Sequence, residues 1–277
     1  MDRYAVIGNP IAHSKSPRIH AAFARQTGQT LEYSTLLAPL EGFVTAVENF
    51  RSAGGRGLNV TVPFKLEAFA LASQRSPRAE AAGAVNTLTF RADGIHGDNT
   101  DGAGLVRDLT ANLGCTLAGR RVLLLGAGGA ARGALLPLLQ AAPSSLTLAN
   151  RSADKAVALA ESFRPSANGT MLSAGGFPDL AGQQFDIVIN ATAASLSSEA
   201  PALPTGLYAP GALAYDMMYG KGDTAYLARA RAEGVTHLAD GLGMLVEQAA
   251  ESFLLWRGVR PNTGPVLADL RRELSAA

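Results

Sequence analysis

Val122-Leu123-Leu124-Leu125-Gly126-Ala127-Gly128-Gly129-Ala130-Ala131 decides the fold. The branched apolar run reads as a strand, and the glycines after it match G-x-G-x-x-G/A at a turn into a helix. Each small residue has a task there. Gly126 permits a tight bend, Gly128 lets backbone approach a pyrophosphate, and Ala131 is small enough for the helix to pack on the strand. Gly126, Ala127, Gly128, Gly129 and Ala130 are therefore read as a dinucleotide cradle, not as an ordinary glycine-rich turn.

The next strand end decides which dinucleotide. An NAD enzyme presents Asp or Glu to the ribose 2′-hydroxyl about 20 residues on. Here the chain runs Leu148-Ala149-Asn150-Arg151-Ser152-Ala153-Asp154-Lys155, with no acid at the strand end. Arg151 offers a fork of donors suited to a phosphate, Ser152 a hydroxyl, and Lys155 a point charge one turn along. These residues predict NADP.

Outward from this unit, short β-branched or Leu runs alternate with Ala-rich stretches of helical spacing, which is the pattern of an α/β protein. In the second half strands are expected at 121–125, 146–149, 185–190, 213–216 and 235–238, separated by helices, which favours a doubly wound parallel sheet. In the first half a strand at 4–7 leads to a helix opening at Pro17 with Ser16 as its N-cap. Strands follow at 32–37 and 58–62, and Asp93-Gly94 turns a hairpin. Helices at 243–256 and 265–274 close the sequence with no strand after them. The expected division is an α/β domain at 1–102, completed by the helices of 241–277, and a Rossmann-type domain at 103–240.

Composition narrows the partners. Of 277 residues 47% are hydrophobic, and 24 Lys+Arg against 23 Asp+Glu leave a net charge of +1. Such a chain buries a core and carries no basic footprint for nucleic acid or an anionic membrane. A small molecule is the expected partner, with the protein a monomer or homodimer. A single cysteine, Cys115, excludes an intrachain disulfide and suits a reducing compartment, so the cytoplasm is expected. The four histidines show no metal-ligand spacing, so no metal is expected. Glycine is in excess, 30 of 277 or about 11% against a usual ~7%, and many of these glycines fall in the polar turns.

Reduction of a ketone needs a proton donor for the developing alkoxide. Lys65, in Asn59-Val60-Thr61-Val62-Pro63-Phe64-Lys65, lies past a strand's C-terminal end, where open α/β sheets place ligands. Asp101, in Gly97-Asp98-Asn99-Thr100-Asp101-Gly102, is the carboxylate expected to orient it. Ser14 and Ser16, in Gly8-Asn9-Pro10-Ile11-Ala12-His13-Ser14-Lys15-Ser16-Pro17, offer neutral hydroxyls beside a helix start, a fit for a bound carboxylate.

Together with Gly83-Ala84-Val85-Asn86-Thr87, Asn190-Ala191-Thr192, Tyr215-Asp216-Met217 with Tyr219, and Asp240-Gly241-Leu242-Gly243-Met244 with Gln248, these motifs resemble the shikimate dehydrogenases over essentially the whole chain. The resemblance implies reversible NADPH-dependent reduction of 3-dehydroshikimate to shikimate. It implies Lys65 as acid/base residue with Asp101 as partner, Ser14 and Ser16 at the carboxylate, and Asn59, Thr61, Asn86, Tyr219 and Gln248 in the substrate's polar shell. It places Gly126 to Ala130 at the pyrophosphate, Asn150 to Lys155 at the adenosine phosphate, and Thr192, Met217 and Gly241 at the nicotinamide half. The sequence departs from the family pattern at Ala193-Ala194-Ser195, which lacks the usual glycine, at Met218, where an aromatic is frequent, and at Pro77, where an acid is common. The competing readings are an NAD-preferring quinate/shikimate dehydrogenase and a non-catalytic NADP- or metabolite-sensing domain.

Overall fold

Among the described residues two six-stranded sheets form, each in its own unit. The computed structural model describes residues 1–192 and 199–276, so the Ala193-Ala194-Ser195 departure lies outside the described residues.

The first unit comprises Met1–Gly104 and Val246–Ala268. Its elements are β1 (Asp2–Gly8), α1 (Ser16–Thr27), β2 (Leu31–Leu37), α2 (Phe43–Ser52), β3 (Gly55–Val60), α3 (Lys65–Leu71), β4 (Gln74–Arg75), α4 (Pro77–Ala82), β5 (Thr87–Arg91) and β6 (Gly94–Asp98). The sheet order is β2-β1-β3-β5-β6-β4. β1 runs parallel to β2 and β3, while β5 is antiparallel to β3 and, through the hairpin turn at Asp93-Gly94, to β6. Ala5 and Ile7 of β1 pack with Phe43, Val47, Leu58, Phe64 and Leu88 in one buried cluster. The loops after β1, β3 and β6 carry the polar motifs.

Ser16 does not cap α1. The helix begins at Ser16 itself, Lys15 at the cap position does not cap it through its side chain, and the Ser14 hydroxyl oxygen accepts the Ser16 N–H at 3.3 Å. A short hydroxyl side chain reaches the backbone two residues on, so the earlier serine takes the turn.

The second unit comprises Leu105–Leu245 and Asp269–Ala277. After α5 (Asp101–Arg107), which continues as a wider π-helical turn at Asp108–Asn112, come β7 (Arg121–Leu125), α6 (Gly129–Gln140), β8 (Ser145–Asn150), α7 (Ala153–Phe163), β9 (Met171–Gly176), β10 (Phe185–Asn190), β11 (Tyr208–Asp216), α8 (Ala225–Ala232) and β12 (His237–Asp240). All are parallel, in the order β9-β8-β7-β10-β11-β12. Counted within this unit that is 3-2-1-4-5-6, the Rossmann order, whose switch point lies between β7 and β10.

α9 (Leu242–Arg257) and α10 (Gly264–Ala276) close the chain. Residues 246–268 group with the first unit, but from Asp269 onward α10 belongs to the second, where the Arg271 guanidinium forks onto both oxygens of Asp240 at 2.6 and 2.5 Å. This differs from the expectation that both helices complete the first domain. An ion pair between residues 31 positions apart, with Asp240 almost fully buried, ties this end of α10 to the end of β12.

Candidate active site

In the first unit β3 delivers Lys65 to the start of α3, and β6 delivers Asp101 to the start of α5. Lys65 Nζ donates to Asp101 Oδ2 at 2.5 Å, with both side chains partly buried. Asp98, the other acid of the polar run, is engaged elsewhere. It accepts a two-pronged bond from Arg78 at 2.6 and 3.0 Å and the Ser76 hydroxyl at 2.6 Å. Only Asp101 is left to face Lys65.

Asn86 holds the second oxygen of that carboxylate, its Nδ2 donating to Asp101 Oδ1 at 2.7 Å. The Asn86 amide oxygen accepts the Thr100 N–H at 2.9 Å. A backbone N–H can only donate and a carboxylate can only accept, so these two partners fix which way the amide faces. Gln248, from α9, brings its Oε1 to 3.4 Å from Asn86 Nδ2 and from the Thr100 hydroxyl. α9 seats closely there: a Cβ at Gly104 would fall 2.6 Å from the Gln248 nitrogen and 2.7 Å from its Cβ.

Asn59 lies behind this group, 7% exposed. Its Oδ1 accepts the Tyr33 hydroxyl at 2.7 Å, and its Nδ2 donates to Ser252 Oγ at 2.9 Å and Thr87 Oγ1 at 3.1 Å. Burial pushes the Tyr33 phenol well above the ordinary tyrosine range, with a hydrogen bond to the Ser16 side chain opposing in part. Tyr33 therefore stays an O–H donor. Thr61 joins β3 to the site loop, its N–H donating to Ile7 O at 3.0 Å. The structure thus brings Ser16, Asn59, Lys65, Asn86, Asp101 and Gln248 together by contacts within one unit. Sequence reasoning missed Tyr33, Thr100 and Ser252 and gave Thr87 no role. Ser252, four residues past Gln248 on one helix face, carried a spacing signal; Tyr33 carried none.

The second unit holds the other motifs. Gly126 adopts φ +108°, which only glycine takes freely, and a Cβ there would lie 3.0 Å from the Ala191 carbonyl oxygen. The turns after β7 and β10 therefore meet at the switch point. Gly128 and Gly129 are different: a Cβ at either would meet nothing within 4 Å. That open, exposed backbone at the start of α6, with Ala127 and Ala130 beside it, fits a pyrophosphate. At the end of β8 the Asn150 side chain donates to Ser152 O at 3.0 Å, and Ser152 opens α7 without spending its hydroxyl on the cap. Arg151, Ser152 and Lys155 are exposed side by side, which fits a 2′-phosphate.

On the other side of the switch point, Thr192 is pinned through its N–H and hydroxyl to Asn190 Oδ1 at 3.1 and 2.7 Å. Met217 N donates to Asn190 O at 2.9 Å, and a Cβ at Gly241 would lie 2.0 Å from Met217 O, so these two segments touch. Tyr219 lies in this unit. Burial raises its phenol above the usual range, and the nearby Asp240 carboxylate adds to the effect. Among the described residues no group of three or more His, Cys, Asp or Glu side chains could hold a metal, and no helix is long and apolar enough to cross a membrane.

Comparison with known proteins agrees with this arrangement. Residues 6–88 match the shikimate dehydrogenase substrate binding domain, 108–198 the shikimate/quinate 5-dehydrogenase family, and 241–271 the shikimate 5′-dehydrogenase C-terminal domain. The chain is 72% identical over 274 residues to the NADP(+) shikimate dehydrogenase of Aromatoleum aromaticum, covering 99% of this chain and 98% of that one. Among solved structures, an Ael1 enzyme from Pseudomonas putida superimposes with a TM-score of 0.92 at 53% identity, over 98% of each chain. The Thermus thermophilus shikimate 5-dehydrogenase, in complex with NADP(H) and shikimate, gives 0.86 at 34%, over 99% of this chain and 100% of that one. With three domain matches in order and close relatives over its full length, the chain belongs to the shikimate dehydrogenase family.

Proposed function

We propose that this protein catalyses the reversible NADPH-dependent reduction of 3-dehydroshikimate to shikimate. The observation that carries the reading is the Lys65–Asp101 pair, held by Asn86 and Gln248 in a polar cluster at the ends of β3 and β6. Bound NADPH supplies the hydride that reaches the ketone carbon. Lys65 Nζ gives a proton to the oxygen as it becomes an alkoxide, and in the reverse direction takes it back. Asp101 orients Lys65 and, with Asn86 and Gln248, faces the ring hydroxyls. Ser14 and Ser16 receive the substrate carboxylate, and Asn59, Thr61 and Tyr219 complete the polar shell. Such a shell discriminates strongly, because a ligand lacking one hydroxyl leaves a buried partner unpaired.

For the cofactor, Gly126 to Ala130 take the pyrophosphate, Asn150, Arg151, Ser152 and Lys155 the 2′-phosphate, and Thr192, Met217 and Gly241 the nicotinamide half. Arg151 at a strand end without an acid supports NADP over NAD. We take the functional division to be a substrate-binding part at 1–102, joined by helical residues of 241–277, and an NADP-binding part at 103–240. A cytoplasmic monomer or homodimer suits a chain with one thiol and a soluble substrate. Initial rates with NADP and NAD, on shikimate and on quinate, test the reading. A preference for NAD or for quinate would overturn it.

A further inference from the structure

Behind Asp101 lies a set of buried polar side chains whose hydrogen-bond directions can be worked out from Asn86 through Thr87 to Asn59. Asn86 is fixed with its oxygen toward the Thr100 N–H and its nitrogen toward Asp101. Thr87 Oγ1 donates to that same Asn86 oxygen at 2.9 Å. A hydroxyl has one proton, so Thr87 is left with lone pairs, and one accepts Asn59 Nδ2. The other Asn59 amide proton goes to Ser252 Oγ. Ser252 in turn touches Thr87 at 2.8 Å and Thr100 at 3.3 Å, and its own hydroxyl is 3.1 Å from Gln248 O. Thr87, Thr100 and Ser252 are fully buried. Both amide protons of Asn59 are thus taken by the protein, and none is left to give to a ligand.

We propose that Thr87 and Ser252 are positioning residues for the reduction, and that Asn59 works with them as a buried brace fixing Asn86, and through it the Asp101 carboxylate opposite Lys65, instead of contacting substrate. The proposal rests on the reaction given above and reassigns one member of its polar shell. The brace joins three elements distant in sequence: Asn59 and Ser252 are 193 positions apart, and Asn59 and Thr87 are 28 apart. It has no exposed atom to offer a ligand at Thr87 or Ser252, so these two act on the chemistry through the groups they hold, Asn86 above all.

The test compares Thr87→Val, which keeps the shape and removes the hydroxyl, with Thr87→Ser, which restores it, and with Ser252→Ala. A positioning role predicts that Thr87→Val and Ser252→Ala each lower kcat by about 3- to 10-fold, the scale of one net hydrogen bond, with KM for 3-dehydroshikimate within twofold of wild type. Thr87→Ser keeps kcat near wild type. Independently of any substrate, NMR of the side-chain amides shows slow proton exchange at Asn59 in the wild type and fast exchange in Thr87→Val. Wild-type kcat in both hydroxyl-free variants, equal loss in Thr87→Ser and Thr87→Val, a raised KM with unchanged kcat, or fast exchange at Asn59 in the wild type would each overturn the brace. If wild-type protein turns over no 3-dehydroshikimate, the proposed reaction fails, while the exchange measurement still decides the brace.

Discussion

The Tyr215 hydroxyl donates to Oδ2 of Asp108 at 2.7 Å, and both side chains are buried in the second unit. Burial, then the Asp108 charge and its hydrogen bond, hold the Tyr215 phenol well above its ordinary range, so it remains a donor. The Asp108 carboxylate also takes Asn112 Nδ2 at 2.8 Å, which leaves it little room to move. A Cβ at Gly243 would fall 2.0 Å from its Oδ1. Gly243→Ala should therefore destabilise the protein by about 1–3 kcal/mol, the usual cost of overpacking. A urea midpoint equal to wild type would show that Asp108 can yield.

Lys65→Ala should reduce kcat by at least ~10²-fold, the scale for losing general acid/base help, with a modest change in substrate KM. Lys65 is partly exposed, so its truncation should leave the melting temperature near wild type. Steady-state kinetics beside a thermal melt checks both, and a fully active variant would end its role as proton donor.

Arg151→Ala should raise KM for NADPH by about 10- to 100-fold, as expected for a lost charge-assisted bond to phosphate, while KM for 3-dehydroshikimate changes little. Equal rises in both constants would point to damaged folding.

Two glycines of one turn should respond differently. Gly126→Ala forces a side chain onto a left-handed backbone 3.0 Å from Ala191 O, so it should lower the melting temperature. Gly128→Ala meets no protein atom within 4 Å, so stability should hold while NADPH binding weakens. Unchanged NADPH affinity in Gly128→Ala would remove that backbone from the pyrophosphate site.

His20 supplies a pH prediction. Its ring stacks on Tyr33 with centroids 4.1 Å apart, near Phe253 and Trp256, and neither ring nitrogen has a hydrogen-bond partner. Burial lowers its pKa from 6.5 to about 3, an effect the nearby Asn59 side chain offsets only in part. Above pH 6.5 the residue is neutral whether the chain is folded or not, and its contribution is fully present. Between 6.5 and about 3 the unfolded chain binds the proton and the folded chain does not, so stability falls by about 1.4 kcal/mol per pH unit. Denaturation at pH 7.5 and 5 should show a smaller acid loss in His20→Leu than in wild type; equal losses would mean His20 does not titrate between the two states.

What could be read from sequence was whatever depends on local pattern. The run from Val122 to Ala131 gave strand, turn and helix because each small residue there answers to backbone geometry. The meeting of Lys65 and Asp101 was legible because both follow strand ends in polar runs, where open α/β sheets gather side chains. β9 was missed: Met171–Gly176 contains Ser173, Gly175 and Gly176, without the β-branched character by which a strand is recognised. It pairs in parallel with β8 over six residues, with Thr147 and Ser173 bonded across at 2.9 Å, a partnership no local window contains. β11 begins five residues earlier than expected, at Tyr208, since Pro210 and Gly211 are absorbed by a register shift opposite β10. Tyr33 was illegible for the same reason as β9, because its partner Asn59 is distant in sequence, whereas Ser252 carried only its helical spacing from Gln248.

The seat of α9 at Gly104 bears on how this scaffold can be retargeted. The close approach is made to the backbone nitrogen and Cβ of residue 248. Every amino acid except glycine and proline brings both atoms unchanged, so the helix keeps its depth whatever side chain it carries beyond Cβ. Randomising position 248 alone changes the group offered beside Asn86 without remodelling its support, which makes it the place to begin a search for altered polyol preference.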